Sequence, residues 1–482
     1  MTNPKRIVQN ATFLSAAYVG QKLLSFIYFT LIARFVGVVD TGAYVFALSY
    51  STICSVFVDF GLSSLLQREI ARKPEGAKSM LGAALRLKLL YAISSVAVGL
   101  GVFVFVADDA QAWRMIFIAM AIMLVDSYSL TVWAAFRGKH YLSYESVSIV
   151  AGQAVVMVIG LLGLMLRAPL EVLMLALLGG SLTAAVYAAV MCRRLFGFWP
   201  LPGKARAGLV AESVSCGVAS TFSRLFASLD SVILGQMAGK AALGFYAIPN
   251  KFVFAAQFVP AAVSASLYPA LSHYHGRDEL QMRRLFLQAL TFLFILAAPM
   301  ATGLYLLTPM VIHELYTKTY DPSIAAMQVL VWGIVFGFLE YPFGAYISAS
   351  GEQHKNSITR VVVVLVNIAL NILLIPKYSF VGTAAAALVS YAVLTGMGAF
   401  WTRHVLAKAG RVFYLTLVRV VIAASIMGVG VAVISQYAHF VVAVVFGVIL
   451  YAAAALVLGV ATPQQIKSVL QLFKREPVAD QA

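Results

Sequence analysis

Three basic residues lie inside long apolar stretches of this sequence, where a charged side chain is costly. They are Lys22, Arg224 and Lys251. Charges inside membrane-spanning segments are rare and usually face a partner or a water-filled cavity. Arginine binds phosphate through two parallel hydrogen bonds, and lysine binds it as a compact charge. We therefore predict that these cations bind a phosphate group, with structural ion pairs to Asp59 or Asp230 as the alternative for the first two.

Two acidic residues, Asp126 and Glu340, also lie inside apolar stretches. They are candidates for binding a coupling proton or sodium ion, with the membrane potential as another driving force, or else they neutralise the basic residues without moving. Arg34 is a candidate for an outer portal, although it is close enough to the end of its stretch to snorkel to the interface. No His or Cys cluster has metal-ligand spacing, so we predict no metal and no organic cofactor.

The elements that must hold these residues are membrane-spanning helices. The chain has 482 residues, of which 61% are hydrophobic and only 11% are charged, whereas soluble domains carry about 25% charged residues. A helical span needs about 20 apolar residues. We predict an all-α polytopic membrane protein with about fourteen transmembrane helices. The predicted spans are 11–36, 42–66, 80–107, 113–137, 142–166, 170–195, 209–238, 243–272, 283–308, 322–350, 357–376, 379–406, 413–434 and 439–461.

The distribution of basic residues predicts the orientation of these spans. With the N-terminus inside, 26 of the 35 Lys and Arg residues fall at cytoplasmic ends, Arg86 and Lys88 among them, and six fall at outer ends. Such an excess is typical of cytoplasmic loops. We predict a multi-pass protein with both termini in the cytoplasm. The net charge of +16 is then explained by topology and by contacts with membrane lipids, and nucleic acid is not expected as a partner.

An internal repeat links the two halves of the chain. Residues 31–44 and 233–246 align at an offset of 202, which also places Lys22 opposite Arg224. The aligned identities are Gly37 with Gly239, Gly42 with Gly244, and Tyr44 with Tyr246. A second alignment, at an offset of 214, matches 137–141 with 351–355 and pairs Asp126 with Glu340.

The repeat predicts two six-helix lobes related by a pseudo-two-fold axis, with the last two helices outside it. The predicted N-lobe covers 1–206 and the predicted C-lobe covers 207–408. Two further helices follow in 409–462, and 463–482 is predicted to form a cytoplasmic amphipathic helix and tail.

Several stretches, in their order and spacing, resemble the Wzx-type O-antigen flippases. These belong to the polysaccharide transporter family of the multidrug/oligosaccharidyl-lipid/polysaccharide exporter superfamily. The stretches are 31–37 with 42–44, 59–62, 230–235 with 244–246 and Lys251, 268–269, and 367–376 with 382–386. The resemblance implies two lobes forming a V around a cationic cavity, to which Lys22, Arg224 and Lys251 would contribute.

The resemblance also implies a function without enzymatic chemistry. The family moves an undecaprenyl-pyrophosphate-linked oligosaccharide repeat unit across the bacterial cytoplasmic (inner) membrane by alternating access, for O-antigen, capsule or exopolysaccharide synthesis. A polysaccharide polymerase and a chain-length regulator are the partners that this context implies.

Three rival functions are open at this stage. A multidrug cation antiporter would need an acidic cavity, whereas the pair Lys22 and Arg224 is basic. A lipid II flippase also handles a pyrophosphate lipid, but the arginine pattern of its first span is not seen here. A membrane glycosyltransferase or polymerase would need a large catalytic loop, and the longest polar loops here are ordinary connectors of about 10–15 residues.

Overall fold

The computed structural model describes residues 4–104, 110–204 and 208–460. The predicted amphipathic helix and tail at 463–482 lie outside these residues. Over the described residues, the regular structure is helical throughout, as the composition predicts. The α-helices are α1 Pro4–Val36, α2 Val38–Asp59, α3 Leu62–Arg72, α4 Ala77–Phe103, α5 Ala110–Gly138, α6 Leu142–Met165, α7 Leu170–Phe196, α8 Leu209–Ala256, α9 Phe258–Tyr274, α10 Glu279–Leu315, α11 Ser323–Leu330, α12 Gly333–Ala349, α13 Gln353–Trp401, α14 Arg403–Leu406, α15 Arg411–Ile434 and α16 Phe440–Val457.

Within the described ranges, twelve helical segments are long and apolar enough to cross a membrane. Two of them, Thr221–Tyr274 and Gln353–Trp401, have 54 and 49 residues, which is enough for two crossings each because one span needs about 20 residues. Each contains one residue with non-helical backbone angles, Gly239 and Ser379 respectively. Counting both as two crossings gives fourteen, in agreement with the prediction from the sequence. The chain is therefore a multi-pass membrane protein.

The predicted repeat is visible in the backbone at its glycines. Gly37, between α1 and α2, has φ 87° and ψ 178°. Gly239, at the break inside α8, has φ 85° and ψ 174°. This conformation is open essentially to glycine alone, and no other atom lies within 4 Å of a Cβ built at either position. The offset of 202 therefore aligns two copies of the same interhelical turn.

The second pair of aligned glycines brings these two turns into contact. A Cβ on Gly42 would overlap the carbonyl oxygen of Lys240, and a Cβ on Gly244 would overlap the carbonyl oxygen of Val38. Val38 and Lys240 are themselves equivalent at the offset of 202, so the two contacts are related by a local two-fold axis. Glycine at both positions allows the two backbones to approach this closely.

The second alignment of the repeat is wrong by three residues. The turns after α5 and α12 have left-handed residues at His140, with φ 60°, and Gly351, with φ 76°. Their backbone hydrogen bonds also correspond, from Tyr141 N–H to the Phe136 carbonyl and from Glu352 N–H to the Ile347 carbonyl. Both features give an offset of 211, whereas the sequence alignment used 214.

The corrected register separates the two acidic residues that the sequence paired. At an offset of 211, Glu340 corresponds to Ser129, and Asp126 corresponds to Gly337. The alignment followed the histidines His140 and His354, whereas the turn geometry depends on which residue can adopt a left-handed conformation.

The chain divides into two compact units, Met1–Gly244 and Phe245–Ala482. In the first unit, α6 packs against α1 and α7, and α5 packs against α2, α3 and α7. In the second, α12 packs against α9, α10 and α13. The division lies 38 residues after the N-lobe boundary predicted at 206, within α8, and the predicted lobe boundaries stay a prediction.

The last two helices pack inside the second unit. Helix α15 lies against α10 and α16, and the hydroxyl of Tyr451 on α16 donates to the carbonyl of Ile295 on α10 at 2.7 Å. Small buried side chains, Ala298, Ala424 and Ala455, lie at this junction. Helix α10 is therefore the helix against which the last two helices, α15 and α16, pack.

Candidate functional site

A buried ion pair joins Asp59, at the end of α2, to Lys88 in α4. The Nζ of Lys88 lies 2.8 Å from Oδ1 of Asp59, and the two side chains are 5% and 11% exposed. Lys88 also donates to Oγ1 of Thr131 on α5 at 2.8 Å, and the hydroxyl of Ser63 donates to Oδ1 of Asp59 at 2.5 Å. The carboxylate and the ammonium thus each have more than one partner, which is the condition for burying such a pair.

A sharp turn after Asp59 places Ser63 beside the carboxylate. Phe60 and Gly61 have φ values of 35° and 76°, so α2 ends and α3 begins at Leu62 in a new direction. Left-handed geometry costs glycine nothing. One face of α3 is buried against the first unit through Leu62, Leu65, Leu66 and Ile70, which fixes the turn and its hydroxyl.

Arg224 of α8 contacts the other oxygen of the same carboxylate. Its Nη2 lies 3.6 Å from Oδ2 of Asp59, and its side chain is 35% exposed. Asp59, Lys88, Arg224, Ser63 and Thr131 form what we call the shared-carboxylate cluster. The structural alternative predicted from the sequence, an ion pair with Asp59, is observed for Arg224.

The cluster leaves one positive charge in excess. Two cations share one carboxylate, so its formal charge is +1. Lys88 is enclosed by its partners, whereas about a third of the Arg224 side chain is accessible. The guanidinium has five N–H donors, so Arg224 keeps donors for an anion after its contact with Asp59.

The other predicted cations lie in helices α1 and α8. Lys22 of α1 and Lys251 of α8 are partly buried, and Arg34, near the end of α1, is exposed. All three interact with neighbouring groups. The exposed position of Arg34 agrees with snorkelling to an interface, and a role at an outer portal stays a prediction.

The two predicted coupling acids have different surroundings. Glu340 of α12 forms an ion pair with Arg360 of α13, in a small pocket that Asn356 and Thr359 also line. Asp126 is exposed on α5. In the part of the chain that the structure describes, no group of three or more His, Cys, Asp or Glu side chains could hold a metal ion.

Lys88 was missed as a site residue because the charge count assigned it to a cytoplasmic end. It nevertheless lies eight residues inside the predicted span 80–107, and the structure buries it. The useful signal was Asp59 in the preceding span, because opposite charges in consecutive spans can neutralise each other.

Comparison with known proteins gives two family matches. The model described as "Polysaccharide biosynthesis protein" matches residues 7–275, which is more than half of the chain. The model described as "Lipid II flippase MurJ" matches residues 252–452.

Two relatives have names that refer to transport of this kind. One, AglR of Haloferax volcanii, is named as a flippase and is 26% identical over 170 residues, which are 34% of this chain and 35% of AglR. The other is named as an O-antigen transporter of Shigella flexneri and is 24% identical over 169 residues, which are 35% of this chain and 40% of the relative. The matched part thus spans well under half of either relative.

Solved structures match over most of the chain. The lipid II flippase MurJ in an inward closed conformation has a TM-score of 0.73 and 12% identity, over 92% of this chain and 97% of MurJ. A multidrug resistance transporter of the MATE family, in an inward-facing conformation, has a TM-score of 0.67 and 15% identity. The match covers 81% of this chain and 96% of that transporter. At these identities the likeness establishes the fold alone, an all-α polytopic membrane fold like that of MurJ and the MATE transporter.

Proposed function

Because this chain belongs to the polysaccharide biosynthesis protein family, we propose that it is a flippase for a lipid-linked oligosaccharide. The substrate is an undecaprenyl-pyrophosphate-linked repeat unit, moved by alternating access from the cytoplasmic to the outer leaflet of a bacterial inner membrane. Both termini lie in the cytoplasm, and the product is used for O-antigen, capsule or exopolysaccharide synthesis. A polymerase and a chain-length regulator are the proposed protein partners.

The observation that carries this proposal is the partly exposed guanidinium of Arg224 within a membrane-spanning segment. A pyrophosphate is strongly disfavoured in hydrocarbon, so a protein that moves it must supply cations and water within the bilayer. Arg224 is 35% exposed and contacts Asp59 at 3.6 Å, beyond ordinary hydrogen-bond distance. Its N–H groups are therefore suited to bidentate binding of a phosphate.

Lys22 and Lys251 complete the proposed pyrophosphate site. Both lie inside apolar helices and are partly buried. We propose that these two lysines and Arg224 bind oxygens of the pyrophosphate, while the polyprenyl chain remains in the lipid. Arg34 is proposed as a first contact at an outer portal.

The membrane potential is one proposed energy source, on electrostatic grounds. It changes the energy of a charge crossing the bilayer by about 2.3 kcal/mol for each 100 mV. An anion leaving a negative interior moves downhill, so the pyrophosphate itself can supply the drive. Asp126 and Glu340 are the proposed sites for a coupled proton or sodium ion, and clamping the potential in vesicles separates the two sources.

The test is transport of a radiolabelled undecaprenyl-pyrophosphate oligosaccharide in proteoliposomes. Wild type is compared with Lys22→Ala/Arg224→Ala and with Arg114→Ala, a matched control whose side chain is 60% exposed and paired with Glu171 at the surface. We expect wild type and Arg114→Ala to transport and the double variant to lose at least tenfold, the effect of about 1.4 kcal/mol.

Other outcomes of this test have separate meanings. Transport by the double variant would mean that residues other than Lys22 and Arg224 bind the phosphate. Absence of transport by wild type would reject this substrate, and lipid II would be tried next because the MurJ model matches residues 252–452. A cationic drug would be the third substrate to test in the same assay, since the fold is shared with MATE transporters.

A further inference from the structure

The two oxygens of the Asp59 carboxylate are held unequally. Oδ1 lies 2.8 Å from the ammonium of Lys88 and accepts from Ser63 at 2.5 Å. Oδ2 lies 3.6 Å from Nη2 of Arg224. This distance is that of an ion pair and is too long for a hydrogen bond. Lys88 is further fixed by Thr131 at 2.8 Å. The carboxylate is therefore anchored to Lys88 and only loosely associated with Arg224.

We propose that Asp59 is a positioning residue that acts as a resident anion for Arg224 and yields it to the substrate phosphate, while Lys88 retains the carboxylate. This inference rests on the proposed function, because it assumes that Arg224 meets a phosphate. Asp59 does not touch the substrate; it sets the affinity of Arg224 for the substrate.

The geometry makes this exchange inexpensive. Removing one partner of a buried ion pair normally leaves an uncompensated charge, which is strongly destabilising. Here the substrate breaks only the 3.6 Å contact, and the carboxylate keeps Lys88 and Ser63 throughout. Arg224 passes from one anion to another, so neither charge is left without a partner at any stage.

The resident anion also favours release of the substrate. Without Asp59, Arg224 would hold the pyrophosphate more tightly, and tight binding in the starting state slows turnover. When the phosphate departs, Arg224 returns to the Asp59 carboxylate, which has stayed in place. Asp59 therefore lowers the affinity and raises the turnover.

Removing both charges of the buried pair tests this directly. The double variant Asp59→Asn/Lys88→Met removes the lysine together with its carboxylate, and methionine is an unbranched, flexible side chain one heavy atom shorter than lysine. It also keeps the formal charge of the cluster at +1, because one acid and one cation are removed together. Any gain in affinity for an anion then reflects loss of the competing carboxylate and not an added positive charge.

The measurement is binding of farnesyl pyrophosphate to the purified full chain in detergent, by titration calorimetry, with farnesol as the uncharged control. We expect the double variant to bind farnesyl pyrophosphate about tenfold more tightly than wild type, because Asp59 no longer competes with the pyrophosphate for Arg224. Adding Arg224→Ala should abolish the gain, and farnesol should show none. Unchanged or weaker binding of the pyrophosphate by a folded double variant overturns the proposal.

A second variant keeps the test decisive if the double variant does not fold. Asp59→Glu retains the charge and extends the carboxylate by one methylene towards Arg224, so farnesyl pyrophosphate should bind more weakly than to wild type. Tighter or equal binding would contradict the exchange. A purely structural role for Asp59 predicts no opposite effects of the two variants on affinity.

The same proteins in the transport assay separate the two proposals. If wild type transports the lipid-linked oligosaccharide but the double variant binds farnesyl pyrophosphate no more tightly, the exchange is wrong and the flippase function stands. If the double variant gains affinity through Arg224 but wild type transports no lipid-linked oligosaccharide, the exchange stands and the substrate is another pyrophosphate. A lower KM together with a lower kcat for the double variant supports both.

Discussion

At the scale of single residues, the first unit is stabilised by a second buried carboxylate. Glu145, at the start of α6, is fully buried and accepts two hydrogen bonds from Arg137 of α5, each 2.9 Å long. The hydroxyl of Tyr18 on α1 also donates to Glu145 at 2.6 Å. One carboxylate therefore ties three helices together in a bidentate geometry that arginine favours.

The variant Glu145→Gln should destabilise the protein severely. It leaves the Arg137 guanidinium, 26% exposed, without its counter-charge, and breaking a buried pair costs about 3–5 kcal/mol. We expect a large drop in the thermal midpoint in detergent. The control is Glu171→Gln, which removes an ion pair to the 60% exposed Arg114 and should cost about 0–1 kcal/mol. Equal midpoints for the two variants would contradict the structural role of Glu145.

Residue types alone predicted part of these networks. Arg224 stands out in the sequence because no helix end is near it, and its pairing with Asp59 was among the alternatives. Lys88 and Arg137 did not stand out, because both occur within stretches where basic residues were assigned to cytoplasmic ends. Whether such a cation reaches inward or outward depends on the helix face that neighbouring helices cover, which hydropathy does not record.

At the scale of helices and turns, Gly37 and Gly239 show that the repeat is preserved in backbone conformation. Both have the same unusual angles, and each stands between the first two spans of its repeat. Around them the sequence has diverged, and three identities remain in the fourteen aligned positions. The conserved feature is thus a conformation that glycine alone adopts readily.

Replacing either glycine with alanine should have the same effect. Because no atom lies within 4 Å of the added Cβ, the cost is purely conformational, about 1–3 kcal/mol. We expect similar decreases in the thermal midpoint for Gly37→Ala and Gly239→Ala. The control is Gly20→Ala in the middle of α1, also with open space around its Cβ, which should be neutral or stabilising because alanine favours helix. Strongly unequal effects of the two turn variants would argue against equivalent turns.

The helical elements were predicted well, and their breaks were predicted less well. Three prolines, Pro249, Pro260 and Pro269, lie within the predicted span 243–272. Helix α8 continues through Pro249 to Ala256, and the break falls at Gln257. Pro260 accounts for this position, because it has no N–H to reach the Ala256 carbonyl. A proline in the sequence does not by itself determine whether a helix bends or breaks there, because packing against neighbouring helices also decides this.

At the scale of the whole molecule, the number of crossings followed from composition because the bilayer imposes a minimum length on every apolar helix. Basic residues lie against aromatic rings at several helix ends, while the orientation itself stays a prediction. Cation–π contacts occur between Lys139 and Phe196, Arg193 and Trp199, Lys355 and Trp401, and Arg403 and Phe400. All of them lie at ends predicted to be cytoplasmic, where basic and aromatic residues meet lipid headgroups.

Cysteine labelling tests the orientation. In a chain lacking the native Cys54, Cys192 and Cys216, single cysteines replace exposed residues of four turns. Gln353→Cys and Glu75→Cys should react with a membrane-impermeant maleimide only after the cells are opened, because their turns are rich in basic residues. Thr319→Cys and Gln436→Cys should react in intact cells. Reversed labelling would place the termini outside, and a mixed result within either pair would contradict the count of fourteen crossings.

The buried pair of Asp59 and Lys88 also bears on how the protein enters the membrane during synthesis. A lysine inside an inserting helix costs up to about 2.5–3.5 kcal/mol, and Asp59 precedes Lys88 by 29 residues. Helix α2 leaves the ribosome first, so its carboxylate is present when α4 arrives, and the two helices can enter the bilayer as a neutralised pair. Arg224 is made much later. The first helices can thus be inserted at low electrostatic cost before the residue proposed to meet substrate exists.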